Sequence, residues 1–365
     1  MSRPPHRRRS IAVVGCPQFC TIDPSEARVE VPDPHFKELI EVHKPKSEVP
    51  AFLNVFDIAG LVKGAAEGAG LGNAFLSHIS ATDAIFHVCR VFEETIDGDE
   101  AVHVEGDVNP IRDLEIIAEE LRLKDIAYVE TFRGPLAKEV SRDGKAKEKK
   151  DKLEAVNKIY DWLTVEKKDI RFGTWSPKEV DAINELNLLT AKPAIFLVNM
   201  SKNDFLRKKN KWLVKLKTWL DENRPGEKFI PYSAAMEQEL FDLDEDGKRK
   251  WEEEHKSSSQ MGKIILAGYH ALQLLHFYTA GPDEVRCWTI REGWTAPKAA
   301  GTIHTDFERG FIKAEVYNFS DWKENDKSEA KVKEAGKYRQ EGKNYQVQDG
   351  DIIFFKFNVT ADKKK

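Results

Sequence analysis

Cysteine is scarce in this chain: four residues in 365, at Cys16, Cys20, Cys89 and Cys287. So few, so scattered, exclude a disulfide framework and fit a reducing compartment. Cys16 and Cys20 have the spacing of a redox or metal pair, but no second pair accompanies them, and two free thiols are the expectation. Also missing is any apolar run long enough to cross a bilayer. The N-terminal MSRPPHRRRS is basic, yet only IAVVG follows, too short for a signal-peptide core. Residues 1–10 are therefore read as a solvated basic tail, the expected location is cytoplasmic, and no membrane partner is expected. Charge of one sign is lacking too: 57 Lys and Arg face 62 Asp and Glu, a net −5. No overall excess directs the chain to nucleic acid, so any basic surface is local.

A fourth absence carries more chemistry. Ile11–Gly15 (IAVVG) reads as a buried strand ending on glycine, the usual entry to a phosphate-binding loop. Cys16, Pro17, Gln18 and Phe19 follow instead, and Gly-Lys-Ser/Thr occurs nowhere in the chain.

What is present alternates. Apolar runs at Ile11–Gly15, Ala51–Phe56, Ala84–Val88 and Ala194–Asn199 read as central strands of a parallel sheet, with Phe229–Ala235 a fifth. ARVEVPD (27–33) alternates and meets Pro32, which suits an edge strand. Between them, Trp212, Leu213, Leu216, Trp219 and Leu220 share a helical face, and Ile264, Ile265, Leu272 and Leu275 do much the same. This pattern predicts a doubly wound α/β domain. One segment interrupts it. Asn109 is a good N-cap before Pro110, and Ile111, Leu114, Ile117 and Leu121 are helical in spacing. Leu153, Val156, Tyr160 and Leu163 resume the stripe after a charged patch, giving an inserted helical hairpin with Ser141–Lys152 near its tip. Gly281 and Pro282 punctuate a change to strands and turns in VRCWTI, GFIKAEV and DIIFFKFN, a small α+β module. The terminal ADKKK is read as frayed.

Candidate chemistry sits at strand ends. Asp57-Ile58-Ala59-Gly60 closes a strand. In nucleotide hydrolases an aspartate there holds Mg²⁺ through water and the glycine amide senses the γ-phosphate. Gly64, Gly68, Gly70 and Gly72 follow, a loop free to switch. Val198–Lys202 (VNMSK) and Tyr232–Ala235 (YSAA) end the next strands, where a nucleotide base lies in open α/β sheets. Guanine-specific sites place an aspartate at the position of Lys202. A lysine is a donor with no acceptor capacity, so guanine loses its fork, whereas the Asn199 amide suits an adenine edge.

The stretches CTIDPSEARVEVPD, FLNVFDIAGLVKGAAEGAGLGNAFLSHI, HVEGDVNPIRDLEII, FLVNMSK and TAGPDEVRCWTI, with GTIHTDFERGFIKAEV and GKYRQEGKNYQVQDGDIIFFKFN, resemble the Obg-like ATPases of the YchF type. The likeness runs from Ile11 to Asn358. It implies an α/β fold with a doubly wound, mostly parallel sheet of the P-loop NTPase type, an inserted helical hairpin and a C-terminal β-grasp (TGS) domain. The implied boundaries are 11–105 with 170–280 for the ATPase domain, 106–169 for the hairpin, 281–359 for the TGS domain and 360–365 for a tail. It also implies ATP over GTP, dependence on Mg²⁺ and association with ribosomes through RNA. Residue by residue, it assigns Thr21 and Asp57 to the metal side. Gly15, Gly60, Asn199, Met200, Ser233 and Ala234 go to the nucleotide, with Ser233 and Ala234 backing the base. Leu61 stands where many relatives have a water-orienting glutamine. The family usually has an acidic residue where this chain has Lys202.

The larger departure is the gap between Gly15 and Thr21, where the family continues through a glycine-rich loop and a helix of roughly twenty residues. The missing lysine is a charge on the β- and γ-phosphates, and the missing Ser/Thr is a direct Mg²⁺ ligand. Backbone amides and a helix N-terminus go with them. At about 1.5–3 kcal/mol for each charge-assisted bond, affinity for ATP falls by orders of magnitude. Loss of a covering helix is also expected to expose apolar strand surface. An ATPase by family, severely impaired in this chain, is the principal expectation. The alternative is a nucleotide-free binder of ribosome or RNA acting through the TGS domain and hairpin. Lys337, Tyr338, Arg339, Lys343 and Tyr345 are its local signal, although a solvated strand and loop accounts for them as well.

Overall fold

A computed structural model describes residues 9–15, 25–58, 78–93, 95–96, 99–100, 107–142 and 147–358. Its strands, in chain order, are β1 (Ser10–Gly15), β2 (Ser25–Glu30), β3 (Ser47–Val49), β4 (Phe52–Asp57), β5 (Ala84–Arg90), β6 (Thr95–Ile96), β7 (Asp99–Glu100), β8 (Ala194–Asn199), β9 (Lys228–Tyr232), β10 (Leu274–Ala280), β11 (Glu284–Arg291), β12 (Phe311–Asn318), β13 (Arg339–Glu341) and β14 (Asp351–Phe357). The chain divides into two compact units, residues 1–27 with 54–264, and residues 28–53 with 265–365.

The first sheet has the order β2-β4-β1-β5-β8-β9. β1 runs parallel to β4 and β5, β5 to β8, and β8 to β9. This is the doubly wound, mostly parallel sheet expected from alternation, with β2 at an edge and ending at Glu30, two residues before Pro32. Strands buried on both faces read as unbroken apolar runs, as AIFLVN does over β8. One core gathers Ala12, Val14, Ile85, Cys89, Phe196 and Val198 against Leu114, Ile117 and Leu121 of the helix Pro110–Arg142, and Leu216 and Leu220 of the helix Leu213–Asn223. The other face, where a covering helix is missing, is partly exposed. Ile11 and Phe86 are buried, and Val13, Val55 and Val88 are half-buried. Ile11 stands beside Val55 and Val13 beside Phe86 in the parallel register.

The inserted helices are Pro110–Arg142 and Lys147–Asp161. The first starts as expected, with Asn109 Oδ1 accepting from the Arg112 N–H at 3.2 Å. Val129, Val156, Ile159, Leu163 and Ile170 are fully buried between them. Each such side chain contributes about 1.5–3 kcal/mol. Two elements differ from the pattern in the sequence. The stripe ending at Leu275 belongs to two elements: the helix stops at Ala271, and Leu275 lies in β10. β9 ends at Tyr232, because Ser233 caps the helix Ala234–Phe241 rather than extending the strand.

The second sheet has the order β13-β12-β14-β10-β11-β3. β10 and β11 form a hairpin, β10 and β14 run parallel, and β12 is antiparallel to both β14 and β13. That is the β-grasp arrangement, with Phe277, Ile290, Val316, Ile353 and Phe355 in its core. Gly281 and Pro282 do not open this module: they turn β10 into β11, and β10 is one of its strands. The sequence pattern also missed β3, which joins the sheet through Glu284↔Ser47 and Arg286↔Val49. The helix Pro34–His43 belongs to the same unit.

Candidate functional site: the C-terminal edge of the parallel sheet

Parallel register brings the predicted residues to one edge. Gly15 lies beside Val88 at the end of β1, and Asp57 beside Val13 at the end of β4. Asn199 lies between Arg90 and Tyr232 at the end of β8. Gly15 approaches its neighbour closely: a Cβ there would stand 3.4 Å from the Val88 carbonyl oxygen. The Asp57 carboxylate is exposed. Thr21, Gly60 and Leu61, and the glycines from Gly64 to Gly72, lie outside the described residues.

On the base side the side chains behave less uniformly than the motif implied. Asn199 Oδ1 accepts from the Ala234 N–H at 3.0 Å, tying the end of β8 to the start of the helix Ala234–Phe241. Its Nδ2 is the part of the amide left for a ligand. Ser233 is fully buried, and its Oγ accepts from the Met236 N–H at 3.4 Å, a helix cap. Met200 packs in the core, and its N–H donates to the Tyr232 carbonyl at 2.9 Å. Any contribution of Ser233 or Met200 to a base is therefore through the backbone. Lys202 opens the helix Lys202–Leu206, pairs with Glu239 at 2.5 Å and lies 5.6 Å from the Trp251 ring centroid. The sequence reading missed Glu239 and Trp251, which sit 37 and 49 positions away. It also missed Arg90, buried at the same edge, whose Nε donates to the Phe92 carbonyl at 2.9 Å. Burial lifts the Tyr232 hydroxyl to about 12, so it stays a neutral phenol.

A cavity in the same unit lies elsewhere. His87, Arg171, Arg224, Phe196 and Trp219 line it, and none of the predicted nucleotide residues does. Burial, then Arg224 and Arg171, hold His87 down to about 3, so the imidazole there is neutral.

Four of the five basic and aromatic residues near the C-terminus contact partners within their own unit. Tyr345 Oη donates to Asp351 at 2.6 Å, and Tyr338 Oη to Glu315 at 3.1 Å. Arg339 pairs with Glu341 at 3.2 Å, and Lys337 lies 3.7 Å from Asp321.

Comparison with known proteins agrees with this architecture. A family described as "50S ribosome-binding GTPase" matches residues 7–129, and the YchF-GTPase C-terminal family, described as a protein of unknown function, matches residues 274–358. Obg-like ATPase 1 of Xenopus laevis is 56% identical over 348 residues, 95% of this chain and 86% of that protein. The human Obg-like ATPase 1 is 54% identical over the same shares. The structure titled as the Schizosaccharomyces pombe YchF GTPase superposes with a TM-score of 0.86 at 44% identity, covering 97% of this chain and 99% of that one. The strand order, the β-grasp module and these likenesses agree, and the chain belongs to the Obg-like ATPase family, the YchF type.

Proposed function

We propose that this chain carries the adenine-nucleotide site of the Obg-like ATPases in a form too incomplete to hold Mg²⁺–ATP tightly or to hydrolyse it at a useful rate. One observation carries the reading. β1 ends at Gly15 and β2 begins at Ser25, and residues 16–24 between them contain no Gly-Lys-Ser/Thr. Asp57, Asn199 and Ala234 keep the edge positions that a metal-bound nucleotide needs, and this supports the ancestry of the site. The donor set does not fit a tight Mg²⁺ site. Asp57 supplies a hard oxygen for a hydrated ion, but the hydroxyl that follows a loop lysine is absent. No hydrolytic step is therefore assigned to the metal here.

Association with ribosomes in the cytoplasm is part of the proposal and rests on membership of the family. Lys337, Tyr338, Arg339, Lys343 and Tyr345 lend it little, since Tyr338, Arg339 and Tyr345 are bonded inside the β-grasp unit. Calorimetry of the full-length chain with Mg²⁺–ATP is the test. The expected Kd is weaker than about 1 mM, with no turnover above background, and a Kd near 1 μM overturns the reading. Sedimentation with ribosomes tests the second part: equal pelleting with and without ATP is expected, and failure to pellet removes it.

A further inference from the structure

Three residues far apart in the sequence converge inside the C-terminal unit. Asp33 caps the helix Pro34–His43, His276 lies on β10, and Cys287 on β11. The hairpin register sets Cys287 opposite Tyr278, and strand alternation puts Tyr278 on the same face as His276. One ligand atom from each of Asp33, His276 and Cys287 lies within 4.8 Å of the others. Asp33 Oδ2 is 3.2 Å from His276 Nε2 and 3.9 Å from Cys287 Sγ. A tetrahedral zinc ion with bonds of about 2.0–2.3 Å separates its ligand atoms by roughly 3.3–3.6 Å. The two spacings from Asp33 Oδ2 reach those values with shifts of a few tenths of an ångström, and the histidine nitrogen and the sulfur lie within 4.8 Å of one another. Asp33 is pre-oriented, because its Oδ1 accepts from the His35 and Phe36 N–H groups at 2.9 and 3.2 Å.

The histidine supplies a second observation. Its Nδ1 is buried and has no hydrogen-bond partner. Asp349 Oδ1 lies 3.8 Å from it and accepts the His276 backbone N–H at 2.9 Å. The polar contacts within the cluster leave that nitrogen unsatisfied, which is costly. A metal on Nε2 fixes the proton on Nδ1, and Asp349, 3.8 Å away, completes the carboxylate–histidine–metal arrangement once it moves in by somewhat under about 1 Å.

We propose that Asp33 Oδ2, His276 Nε2 and Cys287 Sγ form a site for one zinc-like divalent ion, with the fourth position held by the Tyr278 hydroxyl or a water. Tyr278 Oη now hydrogen-bonds at 2.7 Å to Asp33 Oδ2 and at 3.0 Å to His276 Nε2, and these contacts open by about half an ångström when an ion takes their place. Mixed oxygen, nitrogen and sulfur donors select zinc over Mg²⁺ or Ca²⁺. The thiol proton leaves on binding, and carboxylate plus thiolate then balance the charge of the ion. The ion ties the start of the helix Pro34–His43 to the β10–β11 hairpin. This site is independent of the nucleotide reading.

The test uses the full-length chain with Cys16→Ser, Cys20→Ser and Cys89→Ser, so that Cys287 is the single thiol. Titration with Co²⁺ is expected to give, at one equivalent, a thiolate-to-metal charge-transfer band with the d–d bands of a four-coordinate ion, both abolished by one equivalent of Zn²⁺. Zinc affinity by calorimetry is expected to fall about tenfold or more with Cys287→Ser, His276→Gln or Asp349→Asn. Circular dichroism checks that each variant is folded. Zinc binding without the thiolate band in the folded parent, no binding at all, or affinity unchanged by Cys287→Ser and His276→Gln overturns the proposal. If a variant fails to fold, the cobalt spectrum of the parent decides.

Discussion

The two ends of the parallel sheet treat most of their polar groups differently, buried Arg90 and Ser233 at the ligand end aside. At the end where strands begin, charges are buried and partnered. Lys192, just before β8, donates from Nζ to the carbonyls of Ile79, Ser80 and Thr82. Arg171 lies 3.1 Å from Asp169 and 2.9 Å from Glu227, and Arg224 also pairs with Asp169. Asp125 accepts from the Leu189 and Thr190 N–H groups, both at 2.8 Å, and from the Thr190 hydroxyl at 2.6 Å. At the end where strands finish, Asp57 faces solvent and the Asn199 amide is half committed. The first end locks the inserted segment to the sheet, its hydrogen bonds and ion pairs offsetting the desolvation of the buried charges. The second keeps groups in reach of a ligand, at little cost to stability.

The largest test of this contrast restores what the ligand end lacks. Inserting the loop and helix of an Obg-like relative between Gly15 and Thr21 should raise Mg²⁺–ATP affinity by about 10⁴-fold, measured by calorimetry. An increase of under about tenfold would place the defect elsewhere. At the opposite end, Asp125→Ala strands two buried backbone donors and should cost about 4 kcal/mol in urea unfolding.

The same carboxyl predicts a pH dependence. Burial lifts Asp125 to about 6 from an ordinary 3.8, against the pull of its Thr190 and Leu189 bonds. The folded state therefore holds that proton more tightly than the unfolded state. Its contribution is complete below 3.8, declines as pH rises toward 6, and is lost above that. The stability difference between the parent and Asp125→Asn should shrink by about 3 kcal/mol across this window. A difference constant with pH would show the group to be ionised throughout.

Smaller effects belong to the ligand end. Asp57→Asn should shift unfolding by under about 0.5 kcal/mol while weakening Mg²⁺–ATP binding in the loop-restored chain. Lys202→Glu breaks the exposed pair with Glu239 and should cost less than about 1 kcal/mol. A large loss of stability in either variant would erase the distinction between the two ends.

Much of the fold was legible because its signals are local. Ala194–Asn199 is a strand by composition, and Asn109-Pro110 starts a helix by capping. The edge residues Gly15, Asp57 and Asn199 were legible because parallel strands deliver their C-terminal ends to one side. Ser233 and Met200 were harder: their side chains turn inward, Ser233 because β9 stops at Tyr232 and its helix begins, Met200 because the chain leaving β8 packs it into the core. Gly281-Pro282 misled because a hairpin turn and a domain boundary use the same residues.

By itself, the sequence determined the alternation of strands and helices, the absence of a phosphate-cradling lysine, and the family. Each of these is written in neighbouring residues or in the lack of a short motif. Only the tertiary structure decided that β3 joins the C-terminal sheet, that Asp125 reaches Leu189 and Thr190, and that Asp33 meets His276, Tyr278 and Cys287. Those contacts span from 64 to 254 positions. They depend on strand register and burial, which no short window of residues encodes.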